Sequence, residues 1–132
     1  MSGTFIDRCP QPQALSPNQI MGNEDCLKLN IYVPSRGGES HPVMVWIHGG
    51  GLRSGSNNFI EYGPLNFLDG KVILVTINYR LGPLGFLSLG TEDVPGNAGM
   101  LDQILALQWI QNYIGEFRGD PNQVRIQFTI SY

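Results

Sequence analysis

The apolar positions of this chain fall into four patterns, and each predicts an element. Residues 43–47 are continuously apolar, and so are residues 72–77 apart from Thr76. Runs of this length predict strands covered on both faces, as in a parallel or mixed sheet. In residues 27–33, Leu27, Leu29, Ile31 and Val33 alternate with Lys28, Asn30 and Tyr32, which predicts a strand with one wetter face. In residues 98–117, Met100, Leu101, Ile104, Leu105, Trp109 and Ile110 recur at helical spacing. They predict a helix that lays a wide apolar face on the sheet, with Asn97 as N-cap and Gly119-Asp120-Pro121 after its end. Both tryptophans, Trp46 and Trp109, read as core. Residues 1–23 hold Pro10, Pro12 and Pro17 among Ser, Asn and Gln, and read as irregular coil. A polar turn is expected over 34–41, a long Gly/Asn loop over 49–70 with a helical turn near 64–68, and a further loop over 79–96.

The first continuous run leads straight into His48-Gly49-Gly50-Gly51. Glycines let the backbone turn sharply and approach another group with no side chain between. A His-Gly-Gly-Gly turn directly after a buried strand suits one task above others. It aims backbone N–H groups at negative charge developing on a carbonyl oxygen. The alternative is a glycine turn with no ligand, but plain turns seldom need three successive glycines after a buried strand.

Four further blocks carry a resemblance. Glu24-Asp25-Cys26-Leu27 is similar to a signature of the type-B carboxylesterase/cholinesterase family. Asn78-Tyr79-Arg80-Leu81-Gly82-Pro83, Gly96-Asn97-Ala98-Gly99 and Phe117-Arg118-Gly119-Asp120-Pro121 resemble other blocks of that family, in its order and at about its spacing. The resemblance spans residues 9–124. It implies an α/β fold: a partial α/β-hydrolase sheet, mixed with mostly parallel central strands, and a helix packed near residues 98–117. The expected spatial order is the 27–33 strand, the 72–78 strand, the 43–47 strand and then a C-terminal strand. Members of the family run to several hundred residues, so the 132 residues are expected to form one partial domain, a segment of the N-terminal half.

Composition narrows the function without identifying it. Charged residues make up 14% of the chain, against about 25% for an average soluble domain, which fits the middle of a larger sheet. A net charge of −3 with no basic run gives no reason to expect nucleic acid as a partner. No apolar stretch is long enough to span a membrane, and the first residues lack the apolar core of a signal peptide. The resembled family is mostly secreted or in the secretory pathway, so localisation stays open. Two cysteines, Cys9 and Cys26, allow either one disulfide or two free thiols. The resemblance implies the disulfide. No Cys/His spacing suits a metal site, and the family implies no cofactor.

The family's chemistry is hydrolysis of small-molecule carboxylic esters by a serine, an acid and a histidine, in that chain order. The resemblance assigns Gly50 and Gly51 to the oxyanion hole and places the triad at or beyond Tyr132. Leu52 stands where an aromatic residue is common in the family. His48 precedes the oxyanion turn and is expected to be structural. The resemblance places Arg80 and Asp120 each next to a sheet strand, where they are expected to form a structural ion pair. Residues 125–132 depart from the family and read as replacement sequence. Without gaps, the nucleophile position falls on Ile130 and the glycine of the serine elbow on Phe128, while Ser131 lies one residue late and lacks flanking glycines. The chain is therefore expected to be inert by itself. Two other readings remain: a non-catalytic cholinesterase-like adhesion or binding protein, and a truncated isoform that binds through exposed apolar surface.

Overall fold

The computed structural model describes residues 8–35, 40–58 and 71–128. Its first elements are β1 (Gln11–Gln13) and β2 (Ser16–Met21), an antiparallel hairpin with Gln11 opposite Met21 and Pro12 opposite Ile20. The expectation of irregular coil over residues 1–23 is corrected here for residues 11–21, while residues 1–7 lie outside the described residues. A two-stranded ribbon is all edge, and prolines are tolerated at edges where no ladder N–H is required. Cys9 and Cys26 form a disulfide across the base of this hairpin, with Cα atoms 4.9 Å apart and both residues buried. Closing a loop with a sequence separation of 17 stabilises the fold by about 3 kcal/mol through the unfolded chain.

The main sheet contains β3 (Leu29–Tyr32), β4 (His41–Ile47), β5 (Ile73–Ile77) and β6 (Gly119–Phe128), in the spatial order β3-β5-β4-β6. β3 runs antiparallel to β5, while β4 is parallel to both β5 and β6. The order and the parallel centre are those expected from the sequence. Register aligns Val43, Val45 and Ile47 with Ile73, Val75 and Ile77 on one side and with Val124, Ile126 and Phe128 on the other. These residues share one face, because side chains alternate with period two. Every residue of β5 is buried, as its apolar run predicts. In β4 only one face is fully covered: Met44 and Trp46 are half-buried.

After β5 the chain forms a short helix, α1 (Gly82–Phe86), inside the segment expected to be loop. The long helix α2 (Ala98–Tyr113) continues as a 3₁₀ turn, Ile114–Phe117. Asn97 is not an N-cap of the usual kind. It adopts a left-handed conformation (φ 58°), its side chain caps nothing, and its carbonyl accepts the N–H groups of Met100 and Leu101. The face of α2 turned inward is the expected one only in part: Ile110 is buried and Trp109 packs against the core, but the rest differs. Gly99, Asp102 and Ile110 are buried, followed by Ile114, whereas Met100, Leu101, Ile104 and Leu105 are exposed. Apolar residues lie all round this helix, so period alone selects no face. The close approach at Gly99 selects it, since a Cβ there would meet the Phe86 ring at 2.6 Å.

Between Gly119 and Val124, β6 bulges away from β4. Asp120 organises the bulge, accepting from the Asn122 N–H at 2.8 Å and from Gln123 Nε2 at 2.7 Å. The expected helical turn near 64–68 lies outside the described residues.

Candidate functional site

The C-terminal end of β4 delivers His48 into the core and the glycines beyond it to the surface. The His48 ring is 3% exposed and stacks on Tyr79, with ring centres 4.5 Å apart. Tyr79 returns a hydrogen bond from its hydroxyl to the His48 carbonyl at 2.9 Å. Burial pushes the Tyr79 phenol above its ordinary pKa, so it remains a donor. This places His48 as the floor of the turn.

The turn itself depends on backbone conformations that side chains resist. Gly50 has φ 118°, and a Cβ there would collide with the Ser54 carbonyl oxygen. Gly51 and Leu52 are left-handed at φ 59° and 60°. For Leu52 that costs about 1–2 kcal/mol, offset in part by the Gly82 N–H donating to its carbonyl at 2.7 Å. The Gly50 carbonyl accepts the N–H groups of Arg53 and Ser54 at 3.0 and 3.1 Å. Among the described residues, the N–H groups of Gly50 and Gly51 donate to no protein acceptor. They border a cleft of ≈ 540 Å³ lined mostly by apolar groups, including Leu52, Tyr79, Ile104, Leu107, Ile126 and Phe128. Phe128 sits opposite Ile47 in register, so β6 ends beside the glycine turn. Ile130 and Ser131 lie outside the described residues.

The sequence reading missed what fastens this turn. Gln11 is 4% exposed, and its carboxamide bonds both backbone groups of Gly55. Gly55 itself (φ 123°) is packed so closely that a Cβ would strike the His48 ring. Asn57 continues the anchoring. Its N–H donates to Asn78 Oδ1 at 2.8 Å, its side chain donates to the Lys28 carbonyl at 3.0 Å, and its carbonyl accepts from Thr76 at 3.2 Å. A Cys9…Gln11 spacing and a buried Asn pair carry no sequence signal that singles them out from ordinary polar loop residues.

The expected Arg80–Asp120 pair is corrected. Arg80 engages Asp102, with Nε donating to Oδ2 at 2.7 Å, one terminal nitrogen donating to Oδ1 at 2.6 Å and the Arg80 N–H donating to Oδ2 at 3.0 Å. The hydrogen bonds to Asp102 raise the Arg80 pKa. Asp120 is on the bulge of β6, where the Asn122 N–H and then the Gln123 side chain lower its pKa. Proximity to a strand end was the wrong criterion. α2 brings a carboxylate from its second turn against the loop that follows β5, and a sequence does not show which helix face points there.

Among the described residues, no group of His, Cys, Asp or Glu is disposed to hold a metal ion, and no helix is long and apolar enough to cross a membrane.

A mixed sheet with a parallel centre and a glycine turn at the end of a central strand is the N-terminal architecture of an α/β-hydrolase. The structure is similar to that of a PNB esterase, with a TM-score of 0.82, 39% identity, and coverage of 95% of this chain and 26% of that one. The chain belongs to the carboxylesterase family, which it matches over residues 3–127. It is 50% identical over 124 residues to a carboxylic ester hydrolase of Bombus ignitus, covering 89% of this chain and 22% of that protein. It is also 45% identical over 133 residues to the bile salt-activated lipase of Bos taurus, covering 93% and 22%. The chain thus spans about a fifth of the length of these relatives.

Proposed function

We propose that this chain is part of a carboxylic ester hydrolase and contributes one half of its catalytic apparatus, the oxyanion-hole turn. The observation that carries the reading is the pair of N–H groups of Gly50 and Gly51, which have no protein acceptor among the described residues and border the apolar cleft. In the parent reaction a serine attacks the ester carbonyl, a histidine moves the proton, and the N–H groups stabilise the resulting oxyanion. The names of the relatives, a carboxylic ester hydrolase and a lipase, support an ester as substrate. The cleft beside the turn suits the apolar part of such an ester. The chain supplies no Gly-x-Ser-x-Gly elbow, and donors without a nucleophile catalyse little. The 132-residue chain by itself is therefore expected to be inert.

Two experiments test this reading. The isolated chain should neither hydrolyse p-nitrophenyl acetate above a denatured control nor react with a fluorophosphonate probe. Residues 8–124 grafted in place of the matching segment of the bee ester hydrolase should restore hydrolysis. In the graft, Gly50→Ala keeps the N–H but puts a Cβ against the Ser54 carbonyl at φ 118°, which displaces the donors, so kcat should fall about 100–1000-fold, as when an oxyanion donor is lost. Stoichiometric labelling of the isolated chain, or full activity of the Gly50→Ala graft, would overturn the proposal.

A further inference from the structure

The glycine turn is a closed loop whose neck is fastened from a distant part of the chain. Its two ends are His48-Gly49 and Gly55, and they touch: a Cβ on Gly55 would strike both the His48 ring and the Gly49 carbonyl. Among the described residues, the local bonds of the loop are those of the Gly50 carbonyl, which accepts from Arg53 and Ser54, and the contact of His48 Nδ1 with the Gly49 carbonyl at 3.0 Å. The neck is closed by Gln11 of the disulfide-bounded hairpin. Gln11 Nε2 donates to the Gly55 carbonyl at 2.8 Å, and Gln11 Oε1 accepts the Gly55 N–H at 2.8 Å. The same Nε2 donates to the Cys9 carbonyl at 3.0 Å, which fixes the orientation of the carboxamide. A primary amide can donate to a backbone carbonyl and accept from its partner N–H at once, as a strand would, and unlike a carboxyl it does so at any pH. With Gln11 buried, water cannot readily take its place.

We infer that Gln11 is a positioning residue for the oxyanion turn: its two-point clamp on Gly55 presses the loop neck onto His48 and thereby fixes where the Gly50 and Gly51 N–H groups point. The inference rests on the reading of those two groups as oxyanion donors. It assigns Gln11 no contact with substrate. It gives the hairpin a role beyond the core, since among the described residues β1 and β2 pair with each other and contribute no strand to the main sheet.

Hydrogen exchange read by mass spectrometry on dilute full chain tests the clamp without any ester. Gln11→Met keeps the length of the side chain and removes its hydrogen bonds. It should speed exchange of the amides in 48–55 about tenfold or more, while the β4–β5 amides change far less. Gln11→Glu is the conservative variant with a built-in switch. At low pH the new carboxyl is protonated and can again donate to the Gly55 carbonyl and accept from its N–H. At neutral pH it is an acceptor only, facing a carbonyl. Exchange in 48–55, corrected for intrinsic rates, should therefore be near that of the unsubstituted chain at pH 4 and rise toward that of Gln11→Met at pH 7.5. Arg8, Arg53 and His48 border the same loop or cleft, so the unsubstituted chain is measured at each pH as reference. A role confined to general stability would raise exchange evenly across the sheet and show no such pH profile. Even exchange, or a Gln11→Glu profile parallel to the unsubstituted chain, would overturn the inference, and the Gln11→Glu profile decides if Gln11→Met does not fold. An inert graft with a positive exchange result would discard the oxyanion reading and leave the clamp standing.

Discussion

Replacing Arg80 and replacing Asp102 should have unequal effects, because the two partners are unequally buried. The Asp102 side chain is 5% exposed and that of Arg80 is 40% exposed. Arg80→Ala leaves the Asp102 carboxylate inside the structure with one remaining donor, the Arg80 N–H at 3.0 Å. Removing one partner of a fully buried pair costs about 3–5 kcal/mol. The hydrated side of the guanidinium lowers the value of the original pair, so about 3 kcal/mol is expected for Arg80→Ala. Asp102→Asn removes the charge at nearly constant shape and keeps one carbonyl acceptor. The guanidinium it leaves behind has access to water, so the cost should be about 1 kcal/mol. The difference of about 2 kcal/mol is roughly thirtyfold in the unfolding equilibrium and lies well outside measurement error. Urea unfolding at low protein concentration, followed by tryptophan fluorescence, measures both. The double variant should recover part of the Arg80→Ala loss, giving a coupling energy of about 1–2 kcal/mol. If Asp102→Asn proves as costly as Arg80→Ala, the stranded carboxylate is not what makes the arginine loss expensive, and unequal burial does not govern this pair.

Other outcomes follow from the same structure. Tyr79 has a raised pKa in the fold through burial, so its stabilising contribution is complete below about pH 10 and is lost as pH rises through the raised value. Tyr79→Phe should cost about 1 kcal/mol by leaving the His48 carbonyl without its donor, and should weaken the alkaline fall in stability; an unchanged alkaline profile would contradict this. Cys9→Ser with Cys26→Ser should lower stability by about 3 kcal/mol in thermal melts and should also speed exchange in 48–55, because Gln11 is held through the Cys9 carbonyl. Ile104, Leu105, Ile126 and Phe128 are exposed apolar groups, at 50%, 61%, 50% and 60%, so the isolated chain should self-associate as concentration rises. Ile104→Lys with Phe128→Lys should reduce that association in sedimentation experiments, and a concentration-independent monomer in the unsubstituted chain would contradict it.

The sheet and the glycine turn were legible in the order of residues alone. The two apolar runs mark the central strands, of which β5 is buried on both faces and β4 on one, and the glycine triplet marks a backbone that must take positive φ. The family blocks supplied the strand order and the disulfide, both of which the structure contains. The sequence was silent on choices between equivalent surfaces. α2 is apolar all round, so the inward stripe of Gly99, Asp102 and Ile110 was settled by close packing at Gly99 and by the reach of Arg80, and not by period. The partner of Arg80 followed from that rotation, which is why Asp120, plausible by its position next to a strand, was the wrong carboxylate. The hairpin formed where prolines suggested coil, because a two-stranded ribbon needs few ladder bonds and a disulfide anchors its base. Gln11 became important only through a contact 44 residues away. Periodicity and turn chemistry are local and can be read along the chain. Which face a helix turns inward, and which buried amide meets which loop, are set by contacts between distant segments and exist only once the chain has folded.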